Sequence, residues 1–192
     1  GMRSLHVMIV GAGGQGTLLA SRVLGAAMLA AGKDVKVSEV HGMSQRGGSV
    51  VTYVRAGEKV YSPIINPGEA DLILAFEQLE AARWLSYLKK DGTVIVNTQK
   101  MDPMPVVTGA EQYPEGILEA IQRAGARLEA VDALALAMDA GSVKAVNVVL
   151  IGVMARQTDI PKEVWQEAVR TVVPERFVEL NLKAFEAGYT AE

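Results

Sequence analysis

The sequence predicts an α/β fold, a Rossmann-like, doubly wound and mostly parallel sheet with a β-hairpin insertion and C-terminal helices. Three observations support this prediction. An apolar run near the chain start leads into a glycine-rich turn and then into a helix of small residues. Strand-like and helix-like patterns then alternate, and the chain closes with helical patterns alone. Alternating strands and helices favour a parallel sheet, because right-handed crossovers place helices on both of its faces.

The first part of the chain predicts one helix and four β segments. Leu5 to Val10 is almost entirely apolar, as in a parallel strand that is covered on both faces. Thr17 to Ala31 carries small and aliphatic residues at helical spacing. A second strand is expected from Val35 to Val40. Val50 to Tyr61 predicts a hairpin with its turn at Ala56-Gly57-Glu58.

The alternation then resumes and ends in helices. The predicted elements are a strand from Asp71 to Phe76, a helix from Gln78 to Leu88 that Asp91-Gly92 stops, a strand from Thr93 to Asn97, a helix from Pro114 to Ala124, a strand from Leu128 to Val131, and helices from Ala145 to Gln157, Lys162 to Val172 and Glu175 to Ala187. The next-to-last helix places Val164, Trp165, Ala168 and Val172 on one face, which favours core packing over partner docking. Asn147 is either a helix-start cap or a polar interface group.

Composition limits the classes of function. A chain of 192 residues with 49% apolar residues predicts one domain, residues 1–192, with one sizeable core. No cysteine is present, so this chain cannot supply thiolates to zinc or to an iron–sulfur cluster. The formal net charge of −3, scattered Lys and Arg residues and 5% aromatic residues argue against nucleic-acid binding. Apolar runs too short to cross a bilayer predict a soluble, cytoplasmic protein.

The glycine-rich turn has the spacing of a dinucleotide site. Its glycines suit a tight turn, close backbone approach to a pyrophosphate and helix–strand packing. Glu39, about 20 residues further along, would accept hydrogen bonds from a ribose. The candidate cofactor-binding residues of this segment are Gly11, Gly13, Gly14, Gln15, Gly16 and Glu39. The alternative is that the turn only packs the helix tightly and that Glu39 is a solvated strand end.

Conventional acid–base residues for a dehydrogenase are scarce. Tyr87 and Lys90 are three residues apart instead of the four of a tyrosine–lysine pair. His6 lies inside a predicted strand, where a structural role is favoured, and only His41 remains. The catalytic residues stay unassigned, and a self-sufficient dehydrogenase is not favoured.

A second glycine segment, from Glu39 to Ser49, is more distinctive. Arg46 precedes paired glycines, so its guanidinium can lie beside freely turning amides and bind an anion or a partner's carboxylate. The candidate binding residues of this segment are Ser44, Gln45, Arg46, Gly47 and Gly48. The alternative is a flexible polar connection into the hairpin.

Five segments together carry a family resemblance: VGAGGQG, EVHGMSQRGGSV, DLILAFEQLEA, LKKDGTVIVNT and AVNVVLIGVMA. They resemble the gamma-type subunit or domain of 2-oxoacid:ferredoxin oxidoreductases, and most closely the beta subunit of the indolepyruvate ferredoxin oxidoreductases. The resemblance covers nearly the whole chain, and the two glycine segments in this order make it specific.

The resemblance implies a part of an enzyme. The family oxidatively decarboxylates a 2-oxoacid to an acyl-coenzyme A and reduces ferredoxin, using thiamine diphosphate and iron–sulfur clusters. Those two cofactors are expected in a larger partner subunit, ferredoxin is reached through the complex, and the isolated chain is expected to be inactive. For this chain the resemblance implies no firmly bound cofactor and a share in coenzyme A binding. Residues matched to the family are the two glycine segments, including His41 and Gly42, together with Glu80 and Asn97.

Two competing functions remain open. The first is an independent NAD(P)- or nucleotide-binding oxidoreductase that uses the first glycine turn and Glu39. The second is an interaction module that keeps only the shape of a nucleotide fold.

Overall fold

The fold is built on one six-stranded mixed sheet. The computed structural model describes residues 4–13, 15–41, 48–100 and 113–192. The strands are β1 (Leu5–Ala12), β2 (Asp34–His41), β3 (Ser49–Gly57), β4 (Ala70–Ala75), β5 (Leu88–Asn97) and β6 (Arg127–Val131). Their order is β2-β3-β1-β4-β5-β6. β1, β4, β5 and β6 pair in parallel, whereas β3 is antiparallel to both β1 and β2. The predicted mostly parallel sheet is confirmed.

The antiparallel insertion is formed by different segments from those predicted. The predicted turn at Ala56-Gly57-Glu58 is wrong, because β3 runs unbroken to Gly57. Its hairpin partner is β2, with Asp34 opposite Gly57 at one end and Val40 opposite Val51 near the other. Beyond β3, the backbone N–H of Val60 donates to Asp34 Oδ2 over 2.8 Å. The segment after Gly57 therefore stays beside the start of β2.

Seven α-helices lie in the described part of the chain. They are α1 (Leu18–Ala30), α2 (Gln78–Arg83), α3 (Ile117–Arg123), α4 (Ala133–Ala140), α5 (Val146–Ala155), α6 (Lys162–Val172) and α7 (Val178–Tyr189). Short 3-10 helices cover Leu85–Tyr87, Val143–Ala145 and Glu175–Phe177. Among these helices, none combines the length and the apolar character that crossing a membrane requires.

Two predicted boundaries change in the structure. α2 ends at Arg83, and β5 already begins at Leu88, so Asp91-Gly92 lies inside a strand and does not stop a helix. Asp91 has a φ of 64°, and the pairing between β4 and β5 shifts register there. α4 was missed by the sequence reasoning. Asp132, whose side chain accepts a hydrogen bond from Ala135 N over 3.1 Å, begins it.

Side chains of the sheet alternate between two buried layers. In β1, Val7 and Ile9 face the layer that contains α1 and α4 to α7, whereas Met8 and Val10 face the layer of α2 and α3. Helices therefore cover both faces, as a doubly wound sheet requires. The predicted core packing of α6 is confirmed, since Trp165 is completely buried in the larger layer.

Helices α5 and α7 cross at two glycines. A Cβ placed on Gly152 would overlap the carbonyl oxygen of Phe185, and one on Gly188 would overlap that of Val149. Backbone therefore packs directly on backbone at this crossing, which fixes how deeply α5 is buried beneath α7.

Candidate functional site at the carboxyl edge of the sheet

The candidate site lies where two neighbouring parallel strands send their helices to opposite faces. β1 leads into α1 in the larger layer, and β4 leads into α2 in the smaller one. β1 and β4 are adjacent. In open α/β sheets, ligands bind outside the carboxyl ends of the strands at such a switch point. The glycine turn that follows β1 and the segment that follows β4 therefore border the expected crevice.

The two glycine segments touch each other at this edge. The backbone N–H of Gly13 donates to the carbonyl of Gly48 over 2.8 Å. Gly48 directly precedes β3, so the end of the second segment lies against the first. Five of the predicted site residues, namely Gly14, Ser44, Gln45, Arg46 and Gly47, lie outside the described residues. Their place at this edge remains a prediction.

Gln15 bridges the switch point. Its Oε1 accepts a hydrogen bond from Ala12 N over 2.7 Å, and its Nε2 donates to the carbonyl of Phe76 over 3.2 Å. A Cβ on Gly11 would lie 3.0 Å from Gln15 Oε1, so glycine gives this side chain room to approach the backbone. Gly16 has a φ of 69°, a left-handed conformation that favours glycine.

Asn147 connects the glycine turn to α5. Its Nδ2 donates to the carbonyl of Gly16 over 2.9 Å, and its Oδ1 accepts from the backbone N–H of Ala20 over 3.0 Å. Both interpretations of Asn147 from the sequence are partly correct. The residue is a polar group at a helix interface, and it is a cap, but it caps α1 and not its own helix.

Asn97 completes a set of three carboxamides, Gln15, Asn97 and Asn147, which we call the carboxamide set. Asn97 is fully buried at the end of β5. Its Oδ1 accepts from Ala133 N over 3.2 Å, and its Nδ2 lies 3.4 Å from the carbonyl of Phe76. The set joins the glycine turn, the end of β4 and the start of α4 through neutral groups that both donate and accept.

Two buried carboxylates lie at the start of α2, on the face of the sheet that carries α2 and α3. Glu77 begins α2, accepting from Glu80 N over 2.8 Å, and its second oxygen accepts from the Tyr113 hydroxyl. Glu80 accepts from the Ser49 hydroxyl over 2.6 Å and pairs with Arg83 over 3.2 Å. Glu80 thus fixes the first residue of β3. Sequence reasoning reached Glu80 only through the family resemblance and missed Glu77 and Tyr113. The available signal was a carboxylate directly after a buried strand.

Glu39 is not next to the glycine turn. It is exposed on the edge strand β2, and β3 separates β2 from β1. Two strand spacings amount to about 10 Å between the backbones of β2 and β1. In a dinucleotide fold the acidic residue follows the strand beside β1. The inserted strand therefore separates the two parts of the predicted nucleotide site.

Of the remaining acid–base candidates, His41 ends β2 at this edge and its side chain lies outside the described part of the chain, whereas the others lie elsewhere. His6 lies near the start of β1, with its Nδ1 3.1 Å from the carbonyl of Glu69, and Tyr87 and Lys90 lie at the start of β5. A cavity of about 900 Å³ opens at this opposite edge, lined in part by Lys33, Lys89, Asp71 and Arg156. Lys89 pairs with Asp71 and Arg156 with Glu129. Within the described ranges, no three His, Cys, Asp or Glu side chains form a metal-binding group.

Comparison with known proteins gives a family match over nearly the whole chain. The model of the family described as pyruvate ferredoxin/flavodoxin oxidoreductase matches residues 6–191. Indolepyruvate oxidoreductase subunit IorB of Thermococcus kodakarensis is 44% identical, over 99% of this chain and 96% of that protein. The pyruvate/ketoisovalerate oxidoreductases common subunit gamma of Pyrococcus abyssi is 29% identical, over 90% of this chain and 86% of its own length.

A solved structure shows the same fold. The gamma subunit of the keto/oxoacid ferredoxin oxidoreductase from Geobacter sulfurreducens superposes with a TM-score of 0.72 at 28% identity. The superposition covers 96% of each chain, so the similarity includes the antiparallel insertion and the closing helices as well as the central strands.

Proposed function

The chain belongs to the pyruvate ferredoxin/flavodoxin oxidoreductase family, and on this premise we propose that it is the small, indolepyruvate-type subunit of a 2-oxoacid:ferredoxin oxidoreductase. One observation carries the proposal: 44% identity to an indolepyruvate oxidoreductase subunit extends over 99% of this chain and 96% of that protein. The complex would decarboxylate a 2-oxoacid oxidatively, form its acyl-coenzyme A and pass the electrons to ferredoxin.

The chemistry of electron transfer belongs to a larger partner subunit in this proposal. The chain contains no cysteine, so it offers no thiolate to an iron–sulfur cluster. Thiamine diphosphate and the clusters would therefore be held by the partner, and ferredoxin would be reduced there. This chain would contribute its binding surface and the fixed geometry of the carboxyl edge.

The carboxyl edge is the part of this chain that would serve coenzyme A. The Gly13–Gly48 hydrogen bond and the neighbouring switch point support a site that both glycine segments share. In this site Arg46, with Ser44, Gln45 and Gly47, would bind a phosphate of coenzyme A. The guanidinium suits that role because it donates two parallel hydrogen bonds.

An independent nucleotide-dependent oxidoreductase is supported less well. β3 separates Glu39 from the glycine turn. Three backbone donors around the turn already have partners within the chain, since Ala12 N binds Gln15, Gly13 N binds Gly48 and Ala20 N binds Asn147. A dinucleotide whose pyrophosphate relies on the turn alone would need donors of this kind, whereas the proposed coenzyme A site uses the Arg46 segment for the phosphate.

Reconstitution tests the proposal directly. The purified chain with a 2-oxoacid, coenzyme A, thiamine diphosphate and a viologen dye should show no dye reduction. Adding the larger subunit that co-purifies with it from its source cells should give acyl-coenzyme A formation that depends on both chains. Turnover by the isolated chain, or full activity of the larger subunit without it, would contradict the proposal.

A further inference from the structure

Asn147 is the polar member of a buried apolar helix. All other residues of α5 are aliphatic, methionine, alanine or glycine, and every residue from Asn147 to Ala155 is buried. Asn147 itself is 7% exposed. Burying a carboxamide in such a helix is unfavourable unless its hydrogen bonds are satisfied. Both of its polar atoms are satisfied, by backbone groups of the glycine turn and α1 more than 120 positions earlier in the chain.

The start of α1 lacks a cap of its own. The first N–H groups of a helix have no partner within the helix, and the residue before it usually supplies one. Thr17 occupies that position, but its side chain makes no capping hydrogen bond. Ala20 is the third residue of α1, the position that a capping side chain serves. Asn147 supplies the missing acceptor from α5.

The same side chain holds the end of the glycine turn. Gly16 has left-handed backbone geometry, and a Cβ placed on it would meet nothing within 4 Å, so nothing packed on that side holds its carbonyl in place. The hydrogen bond from Asn147 Nδ2 to its carbonyl does so. The Asn147 side chain therefore holds both Gly16, at the end of the turn, and Ala20, in the first turn of α1.

We propose that Asn147 is a positioning residue for coenzyme A binding: it caps α1 from a neighbouring helix and holds the Gly16 carbonyl, which fixes the glycine turn in its binding orientation. This inference rests on the proposed function. Asn147 acts through the turn, because its side chain is buried against backbone and is not available to a ligand.

Two substitutions separate the two hydrogen bonds. Asn147→Leu removes both. Asn147→Asp keeps an acceptor for Ala20 N, but an ionised carboxylate has no proton to donate to the Gly16 carbonyl. Asn181→Leu is the matched control. Asn181 is likewise a buried asparagine, 6% exposed, on α7, and its Nδ2 donates to the Phe177 carbonyl over 3.0 Å.

Hydrogen exchange on the full-length chain tests the geometry. The Ala20 amide should exchange faster in Asn147→Leu and stay protected in Asn147→Asp, after correction for global stability. In the two-subunit complex, both Asn147 variants should raise the KM for coenzyme A by about two- to tenfold, the usual range for one net hydrogen bond. The kcat at saturating coenzyme A should change little. Asn181→Leu should leave this KM unchanged.

Each contrary outcome overturns the inference. Unchanged exchange at Ala20 in Asn147→Leu would show that the cap is absent in solution. An unchanged KM in folded Asn147 variants would leave the residue with a structural role only. Weaker binding of the larger subunit with an unchanged KM would assign the turn to the protein interface. If Asn147→Leu does not fold, Asn147→Asp carries the test. Inactivity of the wild-type complex would instead contradict the proposed function, so the two failures can be distinguished.

Discussion

At the scale of single residues, Asn97 shows why this edge uses carboxamides. It is completely buried and bonds to two backbone groups, Ala133 N and the Phe76 carbonyl, and to the side chain of Gln99. A carboxylate could accept there but not donate, and an ammonium group could donate but not accept. A neutral carboxamide does both without the cost of burying a charge. The carboxamide set therefore stabilises the carboxyl edge of the sheet without adding a charge to it.

In the proposed coenzyme A site, Arg46 is the residue with the most specific chemistry. Arg46→Lys keeps the positive charge, but an ammonium group cannot reproduce two parallel hydrogen bonds to a phosphate. The substitution should therefore raise the KM for coenzyme A in the reconstituted complex. The free energy of unfolding of the isolated chain should change by no more than about 0.5 kcal/mol, because the proposal gives Arg46 a binding role and no part in the core.

The measurements for Arg46→Lys are the coenzyme A KM, the affinity for the larger subunit and the melting temperature. If KM and affinity both stay at wild-type values, the second glycine segment is only a connector. A large fall in melting temperature would instead identify Arg46 as a structural residue.

The sequence predicted some residues of the candidate site much better than others. The spacing of the first glycine segment identifies Gly11, Gln15 and Gly16, because its requirements are local in the chain. The role of Asn147 depends on Gly16 and Ala20, which are 131 and 127 positions away, and no local pattern encodes that proximity. Asn147 stands out in the sequence because it interrupts an apolar helix, but its hydrogen-bond partners depend on the fold.

At the scale of elements, β3 likewise shows that a local sequence pattern does not specify which segment becomes a neighbour in space. Alternating residues correctly predicted that the chain is extended after Val50, but alternation does not specify which strand lies alongside. The sequence pattern therefore predicts a hairpin within one segment, whereas in the structure β2 and β3 form the hairpin. Strand and helix types were predicted well because periodicity is local, and long elements such as α1 and α6 have boundaries close to those expected.

The connection after β3 should loosen in acid. The backbone N–H of Val60 lowers the pKa of Asp34, with Lys36 and Lys59 lowering it further, and the backbone N–H of Asn66 lowers the pKa of Glu69. A folded pKa below the unfolded value contributes stability above the unfolded pKa, and this stability is lost as pH falls through the folded pKa. Protection of the Val60 and Asn66 amides should therefore decrease below about pH 4.

Asp34→Asn tests this acid response. The amide keeps an acceptor for Val60 N but does not titrate, so protection of the Val60 amide should vary less with pH than in the wild type. Glu58→Gln removes an exposed acid from the same connection and is the control. An identical pH dependence in Asp34→Asn and the wild type would contradict the role of Asp34.

The crossing of α5 and α7 should not tolerate added methyl groups. Gly152→Ala and Gly188→Ala each place a Cβ against backbone carbonyl oxygen. Overpacking of this kind costs about 1–3 kcal/mol, and backbone cannot move aside as a flexible side chain can.

Gly25→Ala in α1 is the matched control, because its Cβ would meet nothing within 4 Å. That change should stabilise the helix by about 0.5–1 kcal/mol. Urea unfolding measures all three, and equal effects would contradict the packing argument.

At the scale of the whole molecule, the β2–β3 insertion changes what the glycine turn can do. β3 occupies the place beside β1 that a second parallel strand takes in a dinucleotide fold. The turn keeps its glycines, but it contacts Gly48, Phe76 and Asn147 of its own chain. The sheet thus combines a nucleotide-like turn with an antiparallel neighbouring strand, which suits the proposed subunit, whose redox cofactors would lie in another chain.

This architecture predicts that the isolated chain does not bind NAD or NADP. Glu39, the candidate for binding the ribose, would have to act across β3. The backbone donors Ala12 N and Ala20 N near the turn already have hydrogen-bond partners in the chain. Titration calorimetry with each dinucleotide should show no saturable heat at millimolar ligand. The wild-type complex, titrated with coenzyme A under the same conditions, is the positive comparison. A saturable dinucleotide site that Glu39→Ala weakens would overturn this prediction and favour the independent oxidoreductase, because only that function requires Glu39 and the turn to act together.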